Sequence, residues 1–212
     1  MAVRHDERRA RHAARHADLS VQRADRREEL LNAAISGIRK HGPSASMDVL
    51  AAEAGITKPI LYRHFGDRAG LVSAIADRFA ETLQAEITAA LSQNAVGTRA
   101  LLVGTIDAFV GYIEREPAVY RYLVRHGNSD PAVDVTGFLD QISNRVALVI
   151  GEEARRLGSD SGGAEAIAHG IVSFVYAAGD WWVDRRTMPR AQLVAYLADF
   201  LWVGLEGLGA TP

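Results

Sequence analysis

Cysteine is absent from the 212 residues. Disulfide staples, thiolate metal sites, thiol catalysis and iron–sulfur clusters are excluded with it. No run of about 18 apolar residues occurs, which argues against a membrane span. The N-terminus is rich in Arg and His and lacks the apolar stretch of a secretory signal. A cytoplasmic protein is the expectation. Proline is sparse, with 6 in all. Pro43, Pro59, Pro117, Pro131 and Pro189 each fall in an expected turn or first helical turn, where a missing N–H costs nothing. Sustained alternation of apolar and polar residues is missing too, so no sheet is expected. The 48% hydrophobic and 24% charged content is that of a globular chain, with length enough for a sizeable core.

Helical periodicity fills the space between the prolines. Leu30, Leu31, Ala34, Ile35 and Ile38 share one face of a first helix, expected over 26–41, with Asp25 and Glu28 as a capping-box start and Gly42–Pro43 as a stop. Further stripes run through Leu71, Ile75, Phe79, Leu83, Ile87 and Leu91, and through Leu102, Ile106, Phe109 and Ile113. Three more follow: Phe138, Ile142, Val146 and Val149; Ile171, Phe174, Val175, Ala178 and Trp182; and Leu193, Leu197, Phe200 and Leu201. The reading is an all-α protein of about nine helices.

Charge is unevenly spread. Residues 1–68 hold 13 Lys+Arg and 9 Asp+Glu, a net of +4, while 69–212 hold 11 and 17, a net of −6. A basic front and an acidic back fit a molecule that meets a polyanion at one end. A basic tail with no partner fits the same numbers. Residues 1–24 read as a flexible arm or frayed helix. His12 and His16 are spaced like helical metal ligands but have no third ligand near them, so no metal is expected. Arg8, Arg9, Arg11 and Arg15 could touch phosphates or a minor groove.

Residues 46–66, SMDVLAAEAGITKPILYRHFG, carry the clearest signal. Ser46 can cap a short helix whose inner face is Val49, Leu50 and Ala54. Gly55 suits the left-handed residue that ends a helix sharply, and Ile56 can plug the turn. Thr57 can cap a second helix, with Pro59 in its first turn and Leu61 and Phe65 turned inward. Two short helices joined this way form a helix-turn-helix. The second leaves Thr57, Lys58, Pro59, Ile60, Tyr62, Arg63 and His64 on or near its outer side, short enough to enter a major groove.

The first helix, this pair and the run LYRHFGDRAGLVSAI together resemble the N-terminal domain of TetR-family transcriptional regulators. The likeness is strong over about residues 26–76. One departure is Arg68, where the family usually has Lys. The resemblance implies phosphate contacts from Ser46, Thr57, Tyr62, His64 and Arg68, and base contacts from Lys58, Pro59, Ile60 and Arg63. A packing role stays open for Tyr62, and simple exposure for His64. The implied organisation is an arm at 1–24, a DNA-binding domain at 25–68 and a ligand-binding and dimerisation domain at 69–212.

In that last domain the resemblance implies an effector pocket among helices four to eight. Phe79, Leu83, Phe109, Tyr112, Ile113, Phe138, Ile142, Phe174 and Trp181 sit on stripes where it would lie. So few charges interrupt them that a small apolar or amphipathic effector, lipid-like or acyl-CoA-like, fits better than a sugar or nucleotide. Arg145 or His169 could meet an anionic head group, though each has a structural reading as well. The final helix, about 189–209, is apolar nearly all round and must be covered by its own core or by a partner. The resemblance implies a homodimer through the last two helices, bound to a palindromic double-stranded operator and acting as a repressor. Effector binding would then shift helix four and respace the two DNA-reading heads. The rivals are a helical small-molecule-binding module without DNA binding and, further off, an all-helical enzyme. No Glu-x-x-His pair, His-Glu-x-x-His or nucleophile elbow occurs, so no catalytic residue and no cofactor is expected.

Overall fold

The computed structural model describes residues 3–94, 97–127, 135–156, 158 and 160–207, and side chains within these except 3–20, 90–94, 127, 135–138, 141 and 153. Among the described residues there are nine helices and no strand: α1 (Val3–His41), α2 (Met47–Glu53), α3 (Lys58–Phe65), α4 (Arg68–Asn94), α5 (Thr98–Arg115), α6 (Pro117–Gly127), α7 (Val135–Arg156), α8 (Ala164–Arg185) and α9 (Arg190–Glu206). The chain divides into two compact units, 1–75 and 76–212, with α4 starting in the first and ending in the second.

The first unit is built around α1. Leu30, Leu31, Ala34, Ile35 and Ile38 are buried, as their spacing predicts. The N-terminal boundary differs from the expectation, because α1 is one helix of 39 residues that begins at Val3 instead of near Asp25. The segment ahead of Asp25 is largely Ala and Arg, both strong helix formers, and holds no Gly or Pro to stop a helix. Glu28 accordingly has no cap to make. It accepts a hydrogen bond from Asn32 Nδ2 at 3.3 Å. The far end of α1 is clamped to α2 through Glu53, whose carboxylate accepts from Lys40 Nζ at 3.0 and 3.2 Å and lies 3.2 Å from His41 Nε2. The Lys40 ammonium, with His41 beside it, holds the Glu53 carboxyl below the usual carboxylate range.

The corner between α3 and α4 is tight. Asp67 Oδ1 accepts from the Gly70 N–H at 2.8 Å, which caps the start of α4. A Cβ on Gly70 would lie 1.9 Å from the Phe65 carbonyl oxygen, a backbone atom that cannot swing aside. Gly70→Ala should therefore destabilise this unit by about 3 kcal/mol. Urea unfolding followed by circular dichroism measures it, and an unchanged midpoint would show that the corner has slack.

The second unit packs α5, α8 and α9 around Ile106, Val110, Val175, Trp182, Leu193, Val194 and Leu197. Trp182 Nε1 donates to the Met188 carbonyl at 2.8 Å and fixes the turn into α9. Arg186 adopts a left-handed conformation there (φ 48°) and reaches Glu114 on α5 at 2.5 Å.

Helix α7 meets α8 differently from the large-residue stripe expected of it. Its buried ridge is Ser143, Ala147 and Gly151. Opposite stand Ala164 and Ala168, with the Ala164 Cβ 3.5 Å from the position a Cβ on Gly151 would take. Small side chains on both helices permit this close approach. Val149, expected inside, is 52% exposed and Leu148 is 69% exposed.

Candidate nucleic-acid interface

Helices α2 and α3 are held by the residues that predict them. Ser46 Oγ accepts from the Val49 N–H at 3.4 Å and caps α2. Gly55 has φ +67°, which a residue with a Cβ rarely adopts. The Ile56 N–H returns to the Ala51 carbonyl at 3.0 Å, closing the turn, and Ile56 itself is half-buried. Thr57 caps α3 through its carbonyl, which accepts from the Ile60 and Leu61 N–H groups at 3.0 and 3.1 Å, whereas its hydroxyl makes no capping bond. Pro59 lies in the first turn as expected.

The inner side of α3 is Leu61, fully buried, and Phe65. The Arg27 guanidinium of α1 lies 4.8 Å above the Phe65 ring. The other side is open. Ser46, Thr57, Pro59, Arg63 and Arg68 are exposed, and Lys58, Ile60, Tyr62 and His64 are half-buried. Eight of the nine expected positions lie on, or at the caps of, α2 and α3, and Arg68 begins α4. Lys58 Nζ sits 3.2 Å from Asp48 Oδ2 on α2 and 6.0 Å from the Tyr62 ring centroid. Asp48 gave no signal in the sequence, because its partner is ten residues away on another helix.

Of the nine expected effector residues, eight have described side chains. Phe79, Leu83, Tyr112 and Ile113 are buried. Phe79 lies 4.4 Å from Tyr112 and 6.3 Å from Tyr120, ring to ring. Phe109 and Phe174 are half-buried against the α5–α8–α9 core, and Ile142 is half-buried on α7. Trp181 is 41% exposed, contrary to its inward placement. Its neighbour Trp182, about 100° further round the helix, takes the core position instead. Phe138 falls outside the described side chains. A polar cluster missed in the sequence stands beside the aromatic group. Tyr120 Oη donates to Asp180 Oδ1 at 2.9 Å, and the Tyr176 ring stands 6.5 Å from Tyr120. Burial pushes the Tyr120 hydroxyl far above the ordinary phenol range, so it remains a donor. A cleft of about 480 Å³ opens beside Asn144, Leu148, Arg155 and Glu165, and none of the eight described residues is in its lining.

Among the described residues no cluster of three or more His, Asp or Glu could hold a metal ion, and no helix is long and apolar enough to cross a membrane. A short helix packed by Leu61 and Phe65, carrying a polar and cationic outer edge behind a Gly-closed turn, defines a helix-turn-helix DNA-binding protein. Residues 30–75 match the family described as bacterial regulatory proteins, tetR family, and 86–210 match the tetracyclin repressor-like C-terminal domain. The chain belongs to the tetR family of transcriptional regulators. A helix-turn-helix-type transcriptional regulator of Mycobacterium tuberculosis is 32% identical over 187 residues, covering 88% of this chain and 80% of its own. The transcriptional activator FasR of Mycolicibacterium smegmatis is 27% identical over 196 residues, covering 90% and 88%. A tetR-family regulator from Pectobacterium atrosepticum has the same fold, with a TM-score of 0.70 at 21% identity over 89% of this chain and 96% of that one.

Proposed function

We propose that the protein is a homodimeric repressor, released from a palindromic operator by a small apolar or amphipathic effector of lipid-like or acyl-CoA-like chemistry. Ser46, Thr57, Tyr62, His64 and Arg68 hold phosphates, while Lys58, Pro59, Ile60 and Arg63 face the bases. The observation that carries the reading is the apolar face left open on α8 and α9. Trp181, Tyr196, Phe200 and Val203 are 41%, 57%, 69% and 70% exposed. Tyr196, Phe200 and Val203 follow at helical spacing on one side of α9. On α8, Ala166, Gly170, Ser173 and Ala177 form an exposed small-residue line leading to Trp181. Such a face supports a two-fold contact, and two-fold symmetry doubles the few base contacts one short helix can make.

The effector class is supported by the aromatic group at Phe79, Tyr112 and Tyr120, beside which stands the Tyr120–Asp180 hydrogen bond. An apolar site with a few placed polar groups suits a ligand with a greasy body and one polar end. Effector must favour the released state to act, and a coupling of about 1–3 kcal/mol would suffice. Helix α4 is the covalent link through which such a shift would reach the DNA-binding unit.

Selection of bound fragments from random duplex DNA tests the reading. The expected product is a palindrome with half-sites about one helical turn apart, or a multiple of that. Long-chain fatty acids and acyl-CoA thioesters, titrated onto that complex, should weaken it roughly 5–150-fold. An asymmetric site would overturn the dimer, and indifference to every acyl probe would overturn the effector class. The name of the FasR relative favours activation as a second reading. Loss of this protein would then lower the transcript beside the selected site, whereas repression requires a rise.

A further inference from the structure

We propose that the N-terminal extension of α1 is a second DNA-binding element, a helical arm whose basic side runs along the phosphates flanking the operator. At 100° per residue, Arg4, Arg8, Arg11 and Arg15 fall on one ridge of α1, which Arg26 continues. His5, Arg9, His12, His16, Arg23 and Arg27 form the adjacent ridge. All eleven basic positions of this stretch thus share an arc of about 160°, interrupted by Leu19 and Gln22. The rest of the circumference holds Ala10, Ala13, Ala14, Ala17 and Ala24 together with every Asp and Glu up to Arg27. A helix with its basic positions on one side and alanine and carboxylate positions on the other lacks the large apolar face that a membrane surface would need. It suits a polyanionic rod.

The second observation is where the basic side leads. Followed towards the C-terminus, the ridge through Arg23 and Arg27 continues as Leu30, Ala34 and Gly37. A Cβ on Gly37 would lie 2.9 Å from Leu50 of α2, so this ridge is the one laid against the helix pair. Arg27 covers the Phe65 ring of α3. The basic arc therefore borders the DNA-reading helix. From Val21 to Glu29 every residue is exposed. Arg4 to Asp25 spans about 33 Å of helix, close to one turn of B-form duplex. The four arginines can pair bidentately with phosphate oxygens and carry no base preference.

The test compares the full-length protein with the variant Arg4→Ala, Arg8→Ala, Arg11→Ala, Arg15→Ala, in which alanine preserves helix propensity. Two probes are used: the palindrome selected by the full-length protein, and the same palindrome with about one further helical turn, roughly 10 bp, on each side. On the longer duplex the variant should bind at least about tenfold more weakly near physiological salt, and the slope of log affinity against log salt should fall by about 3 to 7. On the trimmed duplex the two proteins should bind alike. Equal affinity and slope on the longer duplex would overturn the proposal. So would an equal loss on both probes, which would place the effect in the head, and so would tighter binding by the variant, which would make the arm a cover drawn to the acidic half of its own chain. Failure of the head assignment is distinguishable, because Lys58→Ala weakens binding to both duplexes.

Discussion

Replacing Lys58 and Tyr62 together by alanine should weaken operator binding by about a thousandfold while leaving the protein folded. Each side chain is half-buried, and neither belongs to the core that Leu61 and Phe65 supply. A good base contact is worth about 1–3 kcal/mol, and a phosphate contact of a hydroxyl contributes on the order of 1 kcal/mol. A two-fold dimer loses both contacts twice. Four losses of about 1 kcal/mol each reach about 4 kcal/mol, and each 1.4 kcal/mol is a factor of ten. Fluorescence anisotropy with the selected duplex measures the loss, and thermal melting by circular dichroism checks the fold. Undiminished binding by the double variant would remove α3 as the reading element, whatever else the protein does.

Placing a carboxylate on α9 should have an effect of similar size by another route. Phe200 is 69% exposed and stacks on Phe174 with 5.2 Å between ring centroids. In a monomer, Phe200→Glu would hydrate an already open position and cost little. In a dimer closed over α8 and α9 it would bury two carboxylates in an apolar face, at several kcal/mol per ion. Sedimentation equilibrium should therefore find monomers at concentrations where the natural protein is dimeric, with a dissociation constant raised at least about a thousandfold. Operator affinity should fall in step. Leu148→Glu on α7 is the control, because Leu148 is just as exposed at 69% but lies on another helix. It should leave the dimer intact. If Leu148→Glu dissociates the dimer and Phe200→Glu does not, the partner sits on α7.

The DNA-binding unit is legible in the residues because its geometry is local. Gly55 at positive φ, Ser46 on the Val49 N–H and Pro59 in a first helical turn are each decided within a few neighbours. The tie between Lys58 and Asp48 is not local, and neither is the Gly70 corner against Phe65, so neither could be read in advance. Helix α7 resists reading for another reason. A large-residue stripe is the usual mark of a buried face, but α7 turns Ser143, Ala147 and Gly151 inward because α8 offers Ala164 and Ala168 at close range. Closeness won over side-chain volume. Periodicity puts Trp182, not Trp181, on the buried stripe of α8, and the structure agrees, with Trp182 buried and Trp181 41% exposed. The start of α1 was hidden because an Asp and a Glu at capping-box spacing also suit the middle of a helix, where Glu28 bonds Asn32.

Asp48 gives Lys58 an occupation before any duplex arrives. An exposed pair of this kind is worth about 0.2–1 kcal/mol, a toll charged on every stretch of DNA the head touches. If Lys58 meets a base, as proposed, a contact of about 1–3 kcal/mol outweighs the pair, and a phosphate contact on the order of 1 kcal/mol roughly offsets it. Wherever Lys58 must leave Asp48 to touch DNA, the tether lowers affinity for matching and arbitrary sequence by the same factor, so Asp48→Ala would tighten binding without altering the choice of sequence.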